Sequence, residues 1–347
     1  MISFLRRLAP TFDLKPDLIE KRLRVRVTRG EFAGFSLAVC FMLGLLYLDP
    51  TGSGIAGDFR GHMAAGHGDL TYFFYPNWFI PFYAGLAALP FPVAYCTINL
   101  INLVGIWFAC RVFNGNGAIA LSSYQTLHVM YYGQTTGILL GGLALMYWAM
   151  ERKRYWLAGA ALVIALIKYQ TGIPLILALW LTDISPFREK LRIAVIPIAV
   201  MVVSLLVYGL WPIDLIHRLQ NAPPVAVNNV VLWQWIGPLV LVLWLPVIFL
   251  PLSRNRRIIA VAATTALAIP YLLHNDLLLL FMLPVGGLGL LGNFGYLKGF
   301  PQFDWNALRA LVFIPLLLYV WVFIDHFKSR ANVSISPASV QESDSPV

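Results

Sequence analysis

The sequence predicts an all-α polytopic membrane protein, and three observations support this fold class. Of the 347 residues, 59% are hydrophobic and 12% are charged, which is more apolar side chain than a soluble core of this length buries. The apolar residues form runs long enough for membrane helices, with a mean hydropathy of +0.73. The basic residues gather in short clusters between these runs, as the positive-inside rule describes. The net charge of +9 therefore indicates membrane topology, and no nucleic-acid partner is implied.

The chain divides into a leader, one membrane domain and a tail. Residues 1–30 are strongly basic and lack the apolar core of a cleavable signal, so we expect a leader on the inner face beside anionic membrane lipids. Residues 31–328 are predicted to form a single domain of about 10–12 transmembrane or broken helices. Residues 329–347, rich in Ser and Pro, are predicted to be a disordered tail.

The membrane segments follow from the hydropathy pattern and its breaks. The first one leads outward from the basic leader, and the basic turn at residues 152–154 is placed inside. If the segments 32–48, 76–90 and 92–111 all cross the membrane, these two assignments agree only when residues 117–132 enter and leave by the outer face. We therefore predict a re-entrant or broken segment there. A long polar segment on the outer side, 211–229, precedes the second half. The predicted segments are 32–48, 76–90, 92–111, 117–132, 134–150, 155–168, 174–181, 191–210, 231–252, 258–273, 277–291 and 308–323.

A lysine interrupts one of these apolar segments. Lys168 follows seven apolar residues, and Gly172 and Pro174 then break the helix. We expect a broken helix pair with Lys168 at its apex, an arrangement that often builds a ligand site. A lysine in hydrocarbon either extends to the interface or meets an anion, and both can hold at once.

The first outer loop concentrates charge in a chain that has little of it. Asp58 is the central acid of this loop and has three interpretations: an ordinary loop acid, a metal ligand together with His62, His67 and Asp69, or a general base. Histidines five residues apart in a glycine-rich loop have no fixed geometry, so metal ligation is the weaker alternative. The turn His274-Asn275-Asp276 is a second polar island, either an ordinary turn or part of a site.

Three cysteines lie in apolar segments without the spacing of metal ligands, so we predict that they are small buried hydrophobic residues. They are Cys40, Cys96 and Cys110.

Several short motifs follow one another in a fixed order over residues 58–280. They are Tyr75-Pro76, Tyr132-Gly133-Gln134, Arg152-Lys153-Arg154, Ala158-Gly159-Ala160, Ile167-Lys168 with Pro174, and Pro270-Tyr271 with Asp276. This order resembles glycosyltransferase family 87, whose members are polyprenyl-phosphate-mannose-dependent mannosyltransferases of the GT-C superfamily.

The resemblance implies a lipid-phosphate sugar donor, a lipid or glycan acceptor, and an acid in the first outer loop that deprotonates the acceptor. Asp58 is the expected catalytic base, in preference to Asp69, and Asp49 is interpreted as a helix end. No metal or other cofactor is expected. The active site is expected to face outward from the plasma (inner) membrane. The expected substrate-binding residues are Arg60, Tyr75, His128, Gln134, Lys168, His274 and Asp276, of which Lys168, Arg60 and His128 are the cationic candidates for the phosphate.

Two other classes remain open on the sequence. A lipid or solute carrier or flippase would use the same polar islands as a path, although two matching halves are not visible. An accessory subunit of a membrane complex would not need an intact acid-lined cavity. The enzyme hypothesis depends on the motif order.

Overall fold

A computed structural model describes residues 14–183, 185–221, 229–299 and 305–335. These residues are almost entirely helical, and the β-structure among them is one isolated bridge between Asn229 and Leu273. Large apolar side chains are exposed on the outside of the bundle, for example Leu206 (80% exposed) on a helix that buries little of its surface. Such surfaces need hydrocarbon around them. The all-α polytopic membrane class predicted from the sequence is confirmed.

The helices are numbered here in chain order. The α-helices are α1 Ile19–Arg24, α2 Arg29–Leu48, α3 Gly57–Gly66, α4 Ile80–Ala87, α5 Phe91–Phe113, α6 Gly117–Leu121, α7 Tyr124–Tyr132, α8 Thr136–Glu151, α9 Tyr155–Ala165, α10 Tyr169–Thr182, α11 Phe187–Tyr208, α12 Trp211–Gln220, α13 Trp233–Ile236, α14 Trp244–Phe249, α15 Arg254–Ala268, α16 Leu278–Phe281 and α17 Phe313–Ile335. The 3₁₀-helices are Pro16–Leu18, Asn77–Phe79, Leu166–Lys168, Gly237–Leu243, His274–Leu277, Gly286–Gly299 and Trp305–Val312.

The bundle has two chemically different ends. At what we call the basic end, α2 begins and α5 ends, and the buried pair of Glu31 and Arg111 joins them. The leader docks at the same end, since Arg22 donates to the carbonyls of Arg111 and Val112. At the other end, called the cavity end, α2 ends and α5 begins, with the rings of Phe59 and Phe91 6.4 Å apart.

The prediction that residues 76–90 span the membrane is wrong. Its helix α4 has eight residues and is therefore about 12 Å long, too short for a hydrocarbon layer of about 30 Å. Instead α4 packs on α3 at the cavity end. Hydropathy alone does not separate a short apolar helix at the membrane face from a spanning one.

The irregular segment 117–132 is broken, as predicted, but it does not return to the face that it leaves. It consists of α6 and α7, separated at Ser122 and Ser123. Gly117 lies against the Glu31 carboxylate at the basic end, whereas the Tyr131 carbonyl accepts from the Ala56 amide at the cavity end. The segment therefore crosses the bundle. One predicted crossing (76–90) is therefore lost and one (117–132) is gained, so the number of crossings before the turn at residues 152–154 is unchanged. This turn lies at the basic end, as expected.

The prediction of a broken helix pair with Lys168 at its apex is confirmed, but Gly172 and Pro174, which were expected to break the helix, lie inside α10. The apolar stretch Tyr155–Thr182 is long enough to span a membrane as one helix, but the 3₁₀ turn Leu166–Lys168 folds it into a hairpin. The Tyr155 and Ser185 hydroxyl oxygens are 3.1 Å apart, which brings the two ends of the hairpin together. Helix α9 is about 17 Å long, so Lys168 lies at the apex, within the depth of a bilayer.

In the second half, two predicted spans are divided into shorter pieces. The segment 231–252 contains α13, a 3₁₀-helix and α14. The segment 277–291 is not one span: it leads to the basic end, where the Phe281 carbonyl accepts from the Cys110 thiol at 3.7 Å, and then turns back as a 3₁₀-helix. Proline and glycine at positions 284 and 286 explain this turn.

The last helix returns to the basic end, where Asp325 pairs with Arg256 at 2.6 Å. This contact fixes the orientation of α17. Because α17 continues to Ile335, it overlaps the start of the predicted tail. Residues 336–347 of that tail, and residues 1–13 of the leader, lie outside the described residues.

The prediction that all three cysteines are buried is wrong for two of them. Cys110 is buried, Cys96 is half-buried, and Cys40 is exposed on the outer face of α2. A small apolar side chain is equally compatible with a surface that contacts lipid.

Candidate functional site

A cavity of about 360 Å³ opens at the cavity end of the bundle. Helices α8, α9, α10 and α15 have 16 residues or fewer and stop short of this end, whereas α2 and α5 have 20 and 23 residues. The lining residues of the cavity are Gly57, Asp58, Gly61, His62, Tyr72, Phe74, Tyr75, Gln134, Lys168, Gln170, Tyr271, Leu273 and Asp276.

Asp58 stands in the first turn of α3, where the helix dipole favours a carboxylate. Ala56, the residue immediately before α3, has a left-handed backbone (φ 57°), and its amide donates to the Tyr131 carbonyl. This contact fixes where α3 begins. The Asp58 side chain faces the cavity and accepts a hydrogen bond from Gln134 Nε2.

The surroundings of Asp58 raise the pKa of its carboxyl above the ordinary value. Removal from bulk water is the main cause, the positive charge of Lys168 acts in the opposite direction, and the negative charge of Asp276 adds to the rise. A carboxylate that is accessible from a cavity and has a raised pKa is suited to accept a proton.

His62 lies one turn after Asp58 and on the same face of α3. Its ring is buried among Phe73, Tyr75 and Tyr83, with ring centroids 6.2, 4.6 and 5.0 Å away. Burial, followed by the nearby charge of Lys168, lowers the pKa of His62 to about 3, so the imidazole is neutral. The Nδ1 atom of His62 is buried and has no hydrogen-bond partner in the part of the chain that the structure describes.

Lys168 forms the floor of the cavity with residues from two other segments. Its Nζ donates to Asp276 Oδ1 at 2.7 Å and to Thr136 Oγ1 at 3.0 Å. Thr136 donates in turn to the same Asp276 oxygen at 2.6 Å. All three side chains are buried. Because an ammonium group has three N–H donors, one donor of Lys168 remains for a ligand in the cavity.

The other acids of the first loop serve the backbone. Asp49 accepts from the Gly54 amide at 2.6 Å, and that bond is the main reason why the pKa of Asp49 falls to about 2. Asp69 accepts from the Thr71 amide at 3.0 Å and is exposed. Neither lines the cavity. His67 is also exposed, so the alternative metal set of His62, His67 and Asp69 does not converge.

The structure brings five of the eight predicted site residues to one cavity: Asp58, Tyr75, Gln134, Lys168 and Asp276. The other three do not line it, and the roles of all eight remain predictions. Arg60, two residues after Asp58, lies on another face of α3, where it donates to the Thr51 carbonyl and covers the Phe91 ring.

His128 and His274 pack against each other beside the cavity, with ring centroids 4.1 Å apart. Their other ring neighbours are Tyr124 and Tyr132. The sequence pointed to His62 only as an alternative metal ligand and gave no role to Gln170, although both line the cavity. For His62 the only signal was its spacing of four from Asp58 in a segment that was interpreted as a loop.

This fold and this cavity define a helical membrane protein that presents a carboxylate to a polar ligand at one end of its bundle. The chain belongs to glycosyltransferase family 87, whose family model matches residues 73–292. It is therefore a membrane glycosyltransferase, as the motif order predicted. The matched range contains Tyr75, Gln134, Lys168 and Asp276, whereas Asp58 precedes it. Comparisons with curated proteins and with solved structures gave no match.

Proposed function

We propose that the protein transfers a hexose, mannose in our assignment, from a polyprenyl-phosphate donor to a hydroxyl of a lipid or glycan acceptor, with Asp58 as the general base. One observation carries the assignment of the base. Of the two carboxylates that line the cavity, Asp276 is engaged by a cation, whereas Asp58 accepts, among the described residues, only from the neutral amide of Gln134. A base needs a lone pair that no cation occupies.

The proposed step is an inverting displacement. Asp58 takes the proton of the acceptor hydroxyl, and the oxygen attacks the anomeric carbon from the face opposite the phosphate. The bond between that carbon and the phosphate oxygen breaks, and the polyprenyl phosphate leaves with the electron pair. The remaining N–H donor of Lys168 is directed to the charge that develops on the leaving oxygen. Cationic side chains suffice for a monophosphate, so we expect no metal requirement.

The size of the cavity supports a sugar as its occupant. A volume of about 360 Å³ corresponds to about twelve water molecules at about 30 Å³ each. This is room for one sugar ring, its hydroxyls and an attacking oxygen. The polyprenyl chain does not fit in this volume and would remain in the lipid.

The charge distribution supports an outward-facing site. The clusters at residues 152–154 and 254–257 both lie at the basic end, together with the leader. The positive-inside rule assigns such an end to the cytoplasm. The cavity would then open to the outer face of the plasma (inner) membrane.

The test compares Asp58→Asn with Asp69→Asn in parallel. The assay is transfer of labelled mannose from mannosyl polyprenyl phosphate to a membrane-extract acceptor, in proteoliposomes, with and without chelator. We expect Asp58→Asn to lower turnover on the order of 10²- to 10⁴-fold while the protein stays folded, because asparagine keeps the shape and removes the proton acceptor. Asp69→Asn should transfer normally, and chelator should change neither result.

Three results would contradict the proposal. Near-normal transfer by Asp58→Asn would remove the catalytic role of Asp58. A collapse confined to Asp69→Asn would move the base to that residue. Transport of the donor lipid without any sugar transfer by the wild-type protein would favour a carrier.

A further inference from the structure

The charges of the cavity do not by themselves accommodate an anionic donor. Its charged lining residues are Asp58, Asp276 and Lys168, and His62 is neutral. With Asp58 in the ionised form that a base needs, these side chains sum to one negative charge. A phosphodiester also carries one negative charge, so its binding requires a further cation near the cavity.

Arg218 is a cation that meets this requirement. It lies on α12, and its Nη2 is 3.5 Å from Asn77 Oδ1, a long contact with a neutral group. Its Nε is buried, and no described residue accepts a hydrogen bond from it. Among the described residues no carboxylate lies within ion-pair distance of Arg218, and residues 222–228, which follow α12, contain no acid. A half-buried guanidinium without an anion is costly and is a natural phosphate ligand.

The position of α12 suits a phosphate at the membrane interface. The helix is fixed against the segment that follows Tyr75: the rings of Trp211 and Trp78 are 5.4 Å apart at one end, and Arg218 reaches Asn77 at the other. Tyr75, two residues before Asn77, lines the cavity. The opposite face of α12 exposes three apolar residues at helical spacing, Ile213, Ile216 and Leu219, as interfacial helices do.

We propose that Arg218 binds the phosphodiester of the lipid donor at the lip of the cavity. This inference rests on the proposed polyprenyl-phosphate donor. Arg218 holds the charge that is present before and after the reaction, whereas Lys168 meets the charge that develops during it. The two cations therefore have different kinetic signatures: Arg218 acts on the KM for the donor, and Lys168 acts mainly on turnover.

The experiment measures transfer kinetics with labelled mannosyl polyprenyl phosphate in phosphatidylcholine vesicles. We expect Arg218→Gln to raise the donor KM by about tenfold or more with kcat nearly unchanged, since a charge-assisted phosphate contact is lost. Arg218→Lys should recover part of the affinity, because lysine keeps the charge without the bidentate geometry. Asp214→Asn, which removes the acid one turn away, should lower the KM. His217→Gln, exposed on the same helix, is the matched control and should leave both constants unchanged.

The vesicle composition distinguishes the donor from bulk lipid as the source of the phosphate. If Arg218 binds the donor, the KM effect of Arg218→Gln persists in vesicles with and without anionic phospholipid. An effect that appears only with anionic phospholipid assigns Arg218 to bulk headgroups and overturns the proposal, and so does an unchanged KM in a folded Arg218→Gln protein. Binding of polyprenyl phosphate itself, measured without turnover, tests Arg218 even if Asp58→Asn proves active. Failure of this inference is thus separable from failure of the proposed reaction.

Discussion

The two ends of the bundle each hold a buried ion pair beside a cavity, and they differ in how completely the charges are satisfied. At the basic end, Arg111 donates through Nε and Nη2 to both oxygens of Glu31 and also to backbone carbonyls of Arg22, Val25 and Arg26. At the cavity end, Lys168 uses two of its three donors. The pocket beside the Glu31–Arg111 pair has a volume of about 460 Å³, whereas the cavity beside Lys168 has about 360 Å³.

The difference separates structural from functional polar groups. Glu31 also caps α2 by accepting from the Thr28 amide at 2.8 Å, so every strong donor and acceptor of this pair is used within the protein. The cavity end keeps an open donor on Lys168, a carboxylate at Asp58 with one neutral partner, and a buried unpartnered nitrogen on His62. Volume alone would select the wrong end.

The largest expected effect tests this comparison through turnover. Each pair is neutralised as a whole, by Lys168→Met with Asp276→Asn at the cavity end and by Arg111→Met with Glu31→Gln at the basic end, so that no charge is left unpaired. Transfer assays should show a loss of turnover on the order of 10²- to 10³-fold for the first double variant, because the charge on the leaving group is no longer stabilised. The second should keep normal turnover per folded molecule. Equal losses at both ends would erase the distinction.

The two ion pairs should contribute similarly to the stability of the protein. Removing one partner only, by Asp276→Asn or by Glu31→Gln, leaves a buried cation uncompensated and should lower the free energy of unfolding by about 3–5 kcal/mol in either case. Unfolding in detergent, followed by intrinsic fluorescence over a denaturant series, measures this change. The double variants should recover most of it. A pair whose single variants cost nothing would be accessible to water.

A smaller effect concerns the pH dependence of Asp58. Because a base must be deprotonated, turnover should fall as the pH drops through the raised pKa of Asp58, at a higher pH than for an ordinary carboxyl group. Gln134→Leu removes the donor that stabilises the anion, so this acid limb should move up by about one pH unit. Gln170→Leu, which removes the other amide of the cavity lining, should leave the limb in place. A limb unmoved by Gln134→Leu would assign it to another group.

Several parts of this arrangement were predictable from the sequence because they depend on local chemistry. Lys168 at a helix break follows from the cost of a charge in hydrocarbon, although Gly172 and Pro174, which were expected to break the helix, lie inside α10. The basic turn at residues 152–154 follows from charge clustering alone, and it lies at the same end as the leader, as expected, even though two segments before it were misassigned.

Other parts depend on contacts between distant segments and were not predictable from one sequence. Thr136, Lys168 and Asp276 meet only because three segments end at the same level of the bundle. The segment 76–90 has the composition of a membrane helix, and only its packing on α3 shows that it lies at the cavity end. The low pKa of His62 requires the aromatic rings of Phe73, Tyr75 and Tyr83, which no spacing rule places around it.

The smallest expected effect concerns Asp49. It tests whether a polar group is functional because it lies at the cavity end or because its hydrogen-bonding capacity is not already used within the protein. Asp49 lies at the cavity end but is saturated by the loop that follows it, accepting from the amides of Gly54, Ser53 and Ile55. If unused hydrogen-bonding capacity is what makes a group functional, Asp49→Asn should leave turnover unchanged and slightly lower the unfolding midpoint. The pKa of Asp49 is lowered in the folded protein to about 2, so its contribution to stability is present above the ordinary carboxyl pKa and disappears as the pH falls through about 2. The difference in unfolding midpoint between wild type and Asp49→Asn should therefore shrink over this window. A loss of turnover in a folded Asp49→Asn protein would show that position at the cavity end matters even for a saturated carboxylate.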